Sequence, residues 1–238
     1  MKTYSNEAIR LTSWAAILGG IFAYLNVGLM TVLTQGDMAV TLQGSTMLTL
    51  PANGRELFRL SMLADILGFY LPLIAVGGYL WNRFRSEAGA LGDMAAMAIM
   101  LYVVLGVVGA SLQLSVLNPL AAIHAAGGDT AKVAAETTWS AIATASQRGL
   151  WWAEGPVVLF WGVIVGGHLK KAGWGPWTLW PLTLVGWCFA LFFFTGFFPS
   201  LEKFHYASLV LAVVVFPLWL LIFGFQLPRR SVASPNWA

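Results

Sequence analysis

Six long apolar runs follow one another along the chain, and each is long enough to form a membrane-spanning helix. A helix needs about 20 apolar residues to cross the hydrocarbon core of a bilayer. The first run is longer than the apolar region of a signal peptide and lacks a small-residue cleavage site after it, so we expect it to be retained as a helix. The pattern predicts helices over about residues 11–33, 58–81, 94–117, 146–168, 177–197 and 205–227.

Two of the connections between these runs are long. Residues 34–56 contain glycine, proline and alternating polar and apolar positions without a helical period. The second connection, from Asn118 to about Gln147, contains the turn "AAGGD" and then the alanine-rich stretch "TAKVAAETTWSAIATASQ", which predicts a further helix with Thr130 as its N-cap. No linker divides the chain, so we predict one all-α domain over residues 1–238, a six-helix membrane bundle.

The composition supports lipid as the solvent and narrows the chemistry. Hydrophobic residues make up 58% of the chain and charged residues only 10%, against roughly 25% charged residues in soluble domains. Cys188 is the single cysteine, which excludes disulfides within the chain and zinc sites built on several thiolates. There is no HExxH spacing and no histidine pair placed for haem, so we predict neither a metal nor a cofactor. The basic residues form no nucleic-acid patch, and we predict no nucleic-acid partner.

The distribution of basic residues predicts the orientation. Cytoplasmic loops of membrane proteins carry an excess of lysine and arginine. With both termini in the cytoplasm, the outer side receives Arg55, Lys132 and Lys203 in its loops, with Arg59 and Arg148 at helix entrances. The cytoplasmic side then receives Lys2, Arg10, Arg83, Arg85, Lys170, Lys171, Arg229 and Arg230. We therefore predict cytoplasmic termini and a multi-pass protein of a bacterial inner membrane.

Charged residues interrupt two of the apolar runs in the same way. Residues 59–78 read "RLSMLADILGFYLPLIAVGG", and 89 residues later the chain reads "RGLWWAEGPVVLFWGVIVGGHL". This offset places Arg148 on Arg59 and Glu154 on Asp65, and such residues are rare in membrane helices. We interpret the match as a two-helix hairpin repeat, in which helices one and two correspond to helices three and four.

The acid of the second copy is predicted to lie inside the membrane. The apolar run after Glu154 covers about 20 Å at 1.5 Å per residue, whereas the hydrocarbon core is about 30 Å thick. A buried acid is costly unless it is paired, neutral or hydrated. Arginine and acid lie six residues apart and face different sides of one helix, so we predict crossed pairs, Arg59 with Glu154 and Arg148 with Asp65, or one shared cluster.

Three hypotheses for this polar cluster follow. The first is a non-catalytic, outward-facing site that binds a small amphipathic ligand or a partner. The second is a membrane enzyme that uses Glu154 or Asp65 for acid–base chemistry on a lipid-like substrate. The third is an accessory subunit of a larger membrane complex, with the charges as purely structural struts. The candidate ligand-binding residues are Arg59, Asp65, Arg148, Trp151, Trp152, Glu154 and His205.

Two resemblances bear on the fold. The segments "IRLTSWAAILGGIFAYL" and "GPVVLFWGVIVGGHLKKAGWGPWTLWPLTLVGW", with the long first outer loop, resemble a family of uncharacterised bacterial multi-pass membrane proteins. That resemblance implies an inner-membrane helical bundle and assigns no function. The six-helix topology is also similar to the substrate-binding subunits of energy-coupling-factor vitamin importers, in which the first outer loop covers a small-molecule site. This likeness of topology implies no specific binding residues.

Overall fold

The computed structural model describes residues 6–233, with side chains described up to residue 230. Six helices in this range are long and apolar enough to cross a membrane, and they confirm the six predicted spans. We label them α1 (Asn6–Thr34), α2 (Ala52–Ala88), α3 (Ala90–Ala126), α4 (Asp129–Lys171), α5 (Pro176–Thr195) and α6 (Pro199–Arg230).

The second predicted loop is helical almost throughout. α3 runs on to Ala126 and α4 begins at Asp129, so that only Gly127 and Gly128 separate them. The alanine-rich stretch is helical as predicted, because alanine has the highest helix propensity. The predicted cap is wrong: Gly128, not Thr130, occupies the N-cap position, and no side chain caps this helix.

Short glycine turns join α2 to α3 and α4 to α5, at the end of the bundle opposite the Gly127–Gly128 turn. The predicted connection over residues 82–93 is helical except for Gly89, which reverses the chain between α2 and α3 with φ +53°. Between α4 and α5, Gly173 adopts φ +76°. Both values lie in the left-handed region that glycine enters without steric cost.

The six helices form a closed ring in chain order. Each packs against its sequence neighbours, and α6 packs against α1 to close the ring. The hydroxyl of Ser13 on α1 donates to the carbonyl of Gly224 on α6 at 2.7 Å, and the hydroxyl of Tyr24 donates to the carbonyl of Val214 at 2.8 Å. One end of the ring carries residues 35–51, the Gly127–Gly128 turn and residues 196–198, and we call it the loop end. The other, with Asn6 and the C-terminal part of α6, is the terminal end.

The outer surface of the ring is apolar. Trp177, for example, is 77% exposed. An apolar surface of this extent is typical of contact with lipid and unusual for contact with water. Exposed apolar side chains occur on every helix, including Leu11, Trp14, Leu71, Met97, Val108, Val163, Trp180, Trp187, Phe194, Val210 and Phe225.

Aromatic rings fill the interior of the ring toward the terminal end. Trp219 on α6 is fully buried and meets Trp161 of α4 edge to face, with centroids 5.6 Å apart. It also stacks between Phe216 and Phe223 of its own helix, at 6.0 and 5.4 Å. Trp174, in the turn between α4 and α5, stacks on Phe223 at 5.2 Å. These contacts form an aromatic layer in the interior of the ring.

The first loop folds into a cap over the loop end. The sequence predicted no helical period there, but the loop contains a 3₁₀ turn (Met38–Leu42) and a one-turn helix (Gly44–Met47). The indole of Trp139 on α4 donates to the carbonyl of Thr41 at 3.0 Å, and the amide of Gly44 donates to the hydroxyl of Ser140 at 3.1 Å. The cap is therefore attached to the extended α3–α4 hairpin.

Candidate functional site

A cavity of about 150 Å³ lies inside the ring beneath the cap. All six helices and the first loop contribute side chains to its wall. Most of these are apolar or aromatic, and two acids lie among them. The lining residues are Asn26, Met30, Met38, Leu42, Met62, Asp65, Phe69, Tyr70, Tyr102, Gln147, Arg148, Trp151, Glu154, Phe189, Phe192, His205, Tyr206, Leu209 and Val213.

Each acid lies next to an irregular turn of its helix. Asp65 ends the first regular part of α2, and the π-helical turn Ile66–Tyr70 follows it directly. In α4 the π-helical turn Ser146–Leu150 precedes the turn residues 151–153, and the regular helix resumes at Glu154. π turns occur frequently at functional sites because they re-aim side chains that a regular helix would place elsewhere.

These turns do not lie at corresponding positions of the predicted repeat. At the offset of 89 residues, Ile66–Tyr70 corresponds to residues 155–159, which are regular α-helix. The hairpin repeat stays a prediction. The two acids nevertheless reach the same cavity from helices two places apart in the ring.

The two carboxyl groups are buried and incompletely partnered. Asp65 is 8% exposed and Glu154 is 3% exposed. Oδ2 of Asp65 and Oε1 of Glu154 have no hydrogen-bond partner among the described residues. The two groups are close enough to interact electrostatically, and the hydroxyl of Tyr70 lies beside the carboxyl of Glu154 as a donor. A carboxyl group in such surroundings is costly to ionise unless it gains a partner or water.

Two tyrosines form the floor of the cavity. The rings of Tyr70 on α2 and Tyr102 on α3 lie 5.0 Å apart, and Tyr102 meets Phe189 of α5 edge to face at 5.9 Å. The ring of Tyr70 occupies the space where a side chain at position 106 would lie, so only Gly106 allows this approach. The carbonyl of Gly106 also accepts a hydrogen bond from the indole of Trp151, at 3.3 Å.

Basic side chains lie at the mouth of the cavity and not at the acids. Arg148 is exposed and donates to the hydroxyl of Tyr206 at 3.2 Å. His205 donates from Nδ1 to the carbonyl of Phe192 at 2.9 Å and stacks on the ring of that residue at 4.3 Å. Both basic groups therefore have partners above the level of the carboxyl groups.

The structure brings five of the seven candidate residues to the cavity: Asp65, Arg148, Trp151, Glu154 and His205. It does not bring Arg59 and Trp152 there. Trp152 donates to the carbonyl of Phe193 at 2.9 Å and stacks on its ring at 4.3 Å, so it fixes α4 against α5 outside the cavity.

The crossed ion pairs predicted from the repeat are wrong. Arg59 pairs with Glu56 of its own helix, Nη1 to Oε1 at 2.7 Å, and its side chain is 48% exposed. Within the described residues, neither Arg59 nor Arg148 forms a salt bridge with Asp65 or Glu154. The guanidinium group of Arg59 is held by Glu56 and that of Arg148 by the hydroxyl of Tyr206.

Sequence reasoning missed Tyr70 and Tyr102, and the π turn explains the first omission. A regular helix turns by about 100° per residue, which would place Tyr70 about 140° from Asp65. The wider turn over Ile66–Tyr70 brings both side chains to one cavity. Tyr102 lies in the uniformly apolar run of α3, where no periodicity distinguishes it from its neighbours.

Comparison of the sequence with protein-family models, with curated proteins and with solved structures found no match. The family resemblance drawn from the sequence is therefore not supported by a family model. No cluster of three or more potential metal-ligating side chains occurs in the part of the chain that the structure describes.

Proposed function

We propose that this chain is a single-domain, multi-pass membrane protein that binds a small amphipathic ligand in the cavity beneath the cap. Apolar walls with a few convergent polar groups are typical of ligand pockets. The wall here is mostly apolar and aromatic, with polar groups from α2 and α4 at one level. The observation that carries the proposal is the pair of buried carboxyl groups with one unpartnered oxygen each.

The aromatic layer beneath the cavity favours binding over conduction. Below Tyr70 and Tyr102, the interior is filled by Phe216, Trp219 and Trp161. A channel or carrier in an open state would need a polar or empty path through this layer. The cavity is therefore suited to hold a ligand that enters from the loop end.

Filling the cavity tests this proposal without changing its charge. Leu209 lines the cavity from α6, whereas Leu211 is 43% exposed on the outer surface of the same helix. We expect Leu209→Trp to lose the thermal stabilisation that the wild type gains from its ligand class, and Leu211→Trp to retain it. The measurement is a thermal-shift screen of amphipathic compounds, with native mass spectrometry of the gently extracted protein to detect a co-purifying molecule.

Two results would contradict the binding proposal. One is equal stabilisation of both tryptophan variants, which would place binding outside the cavity. The other is a wild type that carries no small molecule and responds to no compound of the screen.

The same pair of acids supports a second candidate, acid–base catalysis on a lipid-like substrate. Two interacting carboxyl groups, of which that of Glu154 lies beside the hydroxyl of Tyr70, could divide the roles of acid and base. Glu154→Gln separates the two functions, because an enzyme variant would bind its substrate without turnover. A binding protein would lose affinity in the same variant.

We further propose that the loop end faces the outside of a bacterial inner membrane. In support, Arg10, Arg83, Arg85 and the lysines at 170 and 171 all lie near the terminal end, as the positive-inside rule requires of a cytoplasmic side. Arg230, at the same end, donates to the carbonyl of Gly173 at 2.9 Å.

Thiol labelling tests this orientation. The only cysteine, Cys188, is buried, so Cys188→Ala provides a background without thiols. In spheroplasts we expect a membrane-impermeant maleimide to label Ser45→Cys, at the loop end, and to label Ser86→Cys, at the terminal end, only after lysis. Labelling of Ser86→Cys in intact spheroplasts would reverse the proposed orientation.

A further inference from the structure

The deep part of the cavity carries acidic groups without an arginine or lysine partner. Asp65 and Glu154 each keep one carboxyl oxygen buried and unpartnered, and neither takes part in a salt bridge among the described residues. The two nearest basic side chains of the wall, Arg148 and His205, are bonded to Tyr206 and to a backbone carbonyl at the mouth. A ligand that supplies positive charge at the acids would replace the missing partner.

Aromatic rings surround the same space. Phe69, Tyr70, Tyr102, Trp151 and Phe189 come from four helices and line the cavity together with the acids. The face of an aromatic ring attracts an ammonium group, more strongly where water is excluded. Carboxylates combined with aromatic faces form a recognition site suited to organic cations. A metal ion such as Ca²⁺ would instead need six to eight oxygen ligands.

The volume limits the size of such a cation. An apolar cavity of 150 Å³ is large enough for a benzene molecule, and the cavity beneath the cap has about this volume. It suits one ring or a short alkyl group with a single charged head. Larger ligands would have to extend through the mouth, past Arg148 and Tyr206.

We propose that the ligand of this cavity is a small organic amine, whose ammonium group binds between the carboxyl groups of Asp65 and Glu154 and whose apolar part lies against the aromatic wall. This inference rests on the proposed binding function and specifies its ligand class. The ammonium group could belong to a free amine or to an amine headgroup of a lipid.

Three probes of similar size and different charge test the ligand class. Benzylammonium, benzyl alcohol and benzoate share one ring and one short substituent. Calorimetric titration of the full chain in lipid nanodiscs should show benzylammonium binding about tenfold or more tighter than benzyl alcohol, because a hydrogen bond to a charged group is the stronger one. Benzoate should bind most weakly, since its carboxylate would meet the two acids.

Isosteric variants test the residues. In Asp65→Asn and in Glu154→Gln we expect the preference for benzylammonium over benzyl alcohol to fall several-fold, because the affinity for the cation should fall more than the affinity for the neutral alcohol. Glu56→Gln is the matched control, because Glu56 is an exposed acid of α2 that pairs with Arg59 outside the cavity. This control should keep the wild-type preference.

Separate outcomes bear on the ligand class and on the binding function. Benzyl alcohol binding as tightly as benzylammonium, or an unchanged preference in both acid variants, would overturn the amine proposal and leave a binding cavity. No binding by any probe would also overturn it, and the Leu209→Trp comparison would then decide the binding function separately. If phosphatidylethanolamine competes with benzylammonium more strongly than phosphatidylcholine does, the ammonium class is supported and its source is a lipid headgroup. If benzylammonium binds and phosphatidylethanolamine does not compete, the source is a free amine.

Discussion

Trp219→Ala is expected to lower the free energy of unfolding by about 3–5 kcal/mol, the typical cost of removing a large buried aromatic side chain. Trp219 is fully buried and lies in contact with Trp161, Phe216 and Phe223. These three neighbouring rings are rigid and cannot readily collapse into the space that the indole leaves. Reversible unfolding in mixed micelles, followed by tryptophan fluorescence and circular dichroism, measures the loss.

Trp187→Ala provides the matched control. Trp187 lies on α5 and is 59% exposed on the outer surface of the ring. Its removal leaves no internal space, and we expect a change of about 0.5 kcal/mol or less. Equal losses in the two variants would show that the aromatic layer does not stabilise the ring more than the lipid-facing surface does.

Glu154→Gln is expected to raise the free energy of unfolding of the ligand-free protein by about 1–2 kcal/mol, because an amide cannot ionise and so avoids the cost of a buried carboxylate without a charged partner. Glu154 is 3% exposed and has an unpartnered oxygen. The amide oxygen of glutamine can still accept from the Tyr70 hydroxyl. The same unfolding measurement, made without ligand, gives the difference.

Addition of benzylammonium should reverse the order of the two proteins. The ligand stabilises only a protein that binds it, so the wild type should gain stability that Glu154→Gln does not. Glu56→Gln, which removes an exposed pair with Arg59, should change stability by about 0.5 kcal/mol or less in either condition. A marked loss of ligand-free stability in Glu154→Gln would show that the Glu154 carboxylate makes stabilising contacts.

The sequence predicts the six helices well because their signal is long-range and redundant. Each span contains about 20 apolar residues, and a single polar side chain does not obscure the pattern. The apolar pattern underestimates the length of a helix that extends beyond its apolar run, as α3 and α4 do. The parts of α3 and α4 that contact the cap are amphipathic or alanine-rich, and Trp139 there packs on Phe58 at 5.8 Å.

The candidate site is predictable only in part, because the direction in which a helical side chain points depends on the local geometry of the helix. Acidic residues are rare in apolar runs, so the sequence indicates Asp65 and Glu154 as candidate site residues. Both line the cavity. The pairing prediction failed because it treated helices two and four as regular rods in direct contact. The π turns, and the space that Gly106 leaves for Tyr70, are set by tertiary packing that no single stretch encodes.

Closure of the ring by α6 has a consequence for biogenesis. During synthesis, each new span can dock on the span just inserted, but α1 meets its last partner only when the final span has entered the bilayer. His205, Tyr206, Leu209 and Val213 all belong to that final span. A nascent chain that lacks this span would lack one wall of the cavity, so the proposed ligand could bind only after insertion is complete.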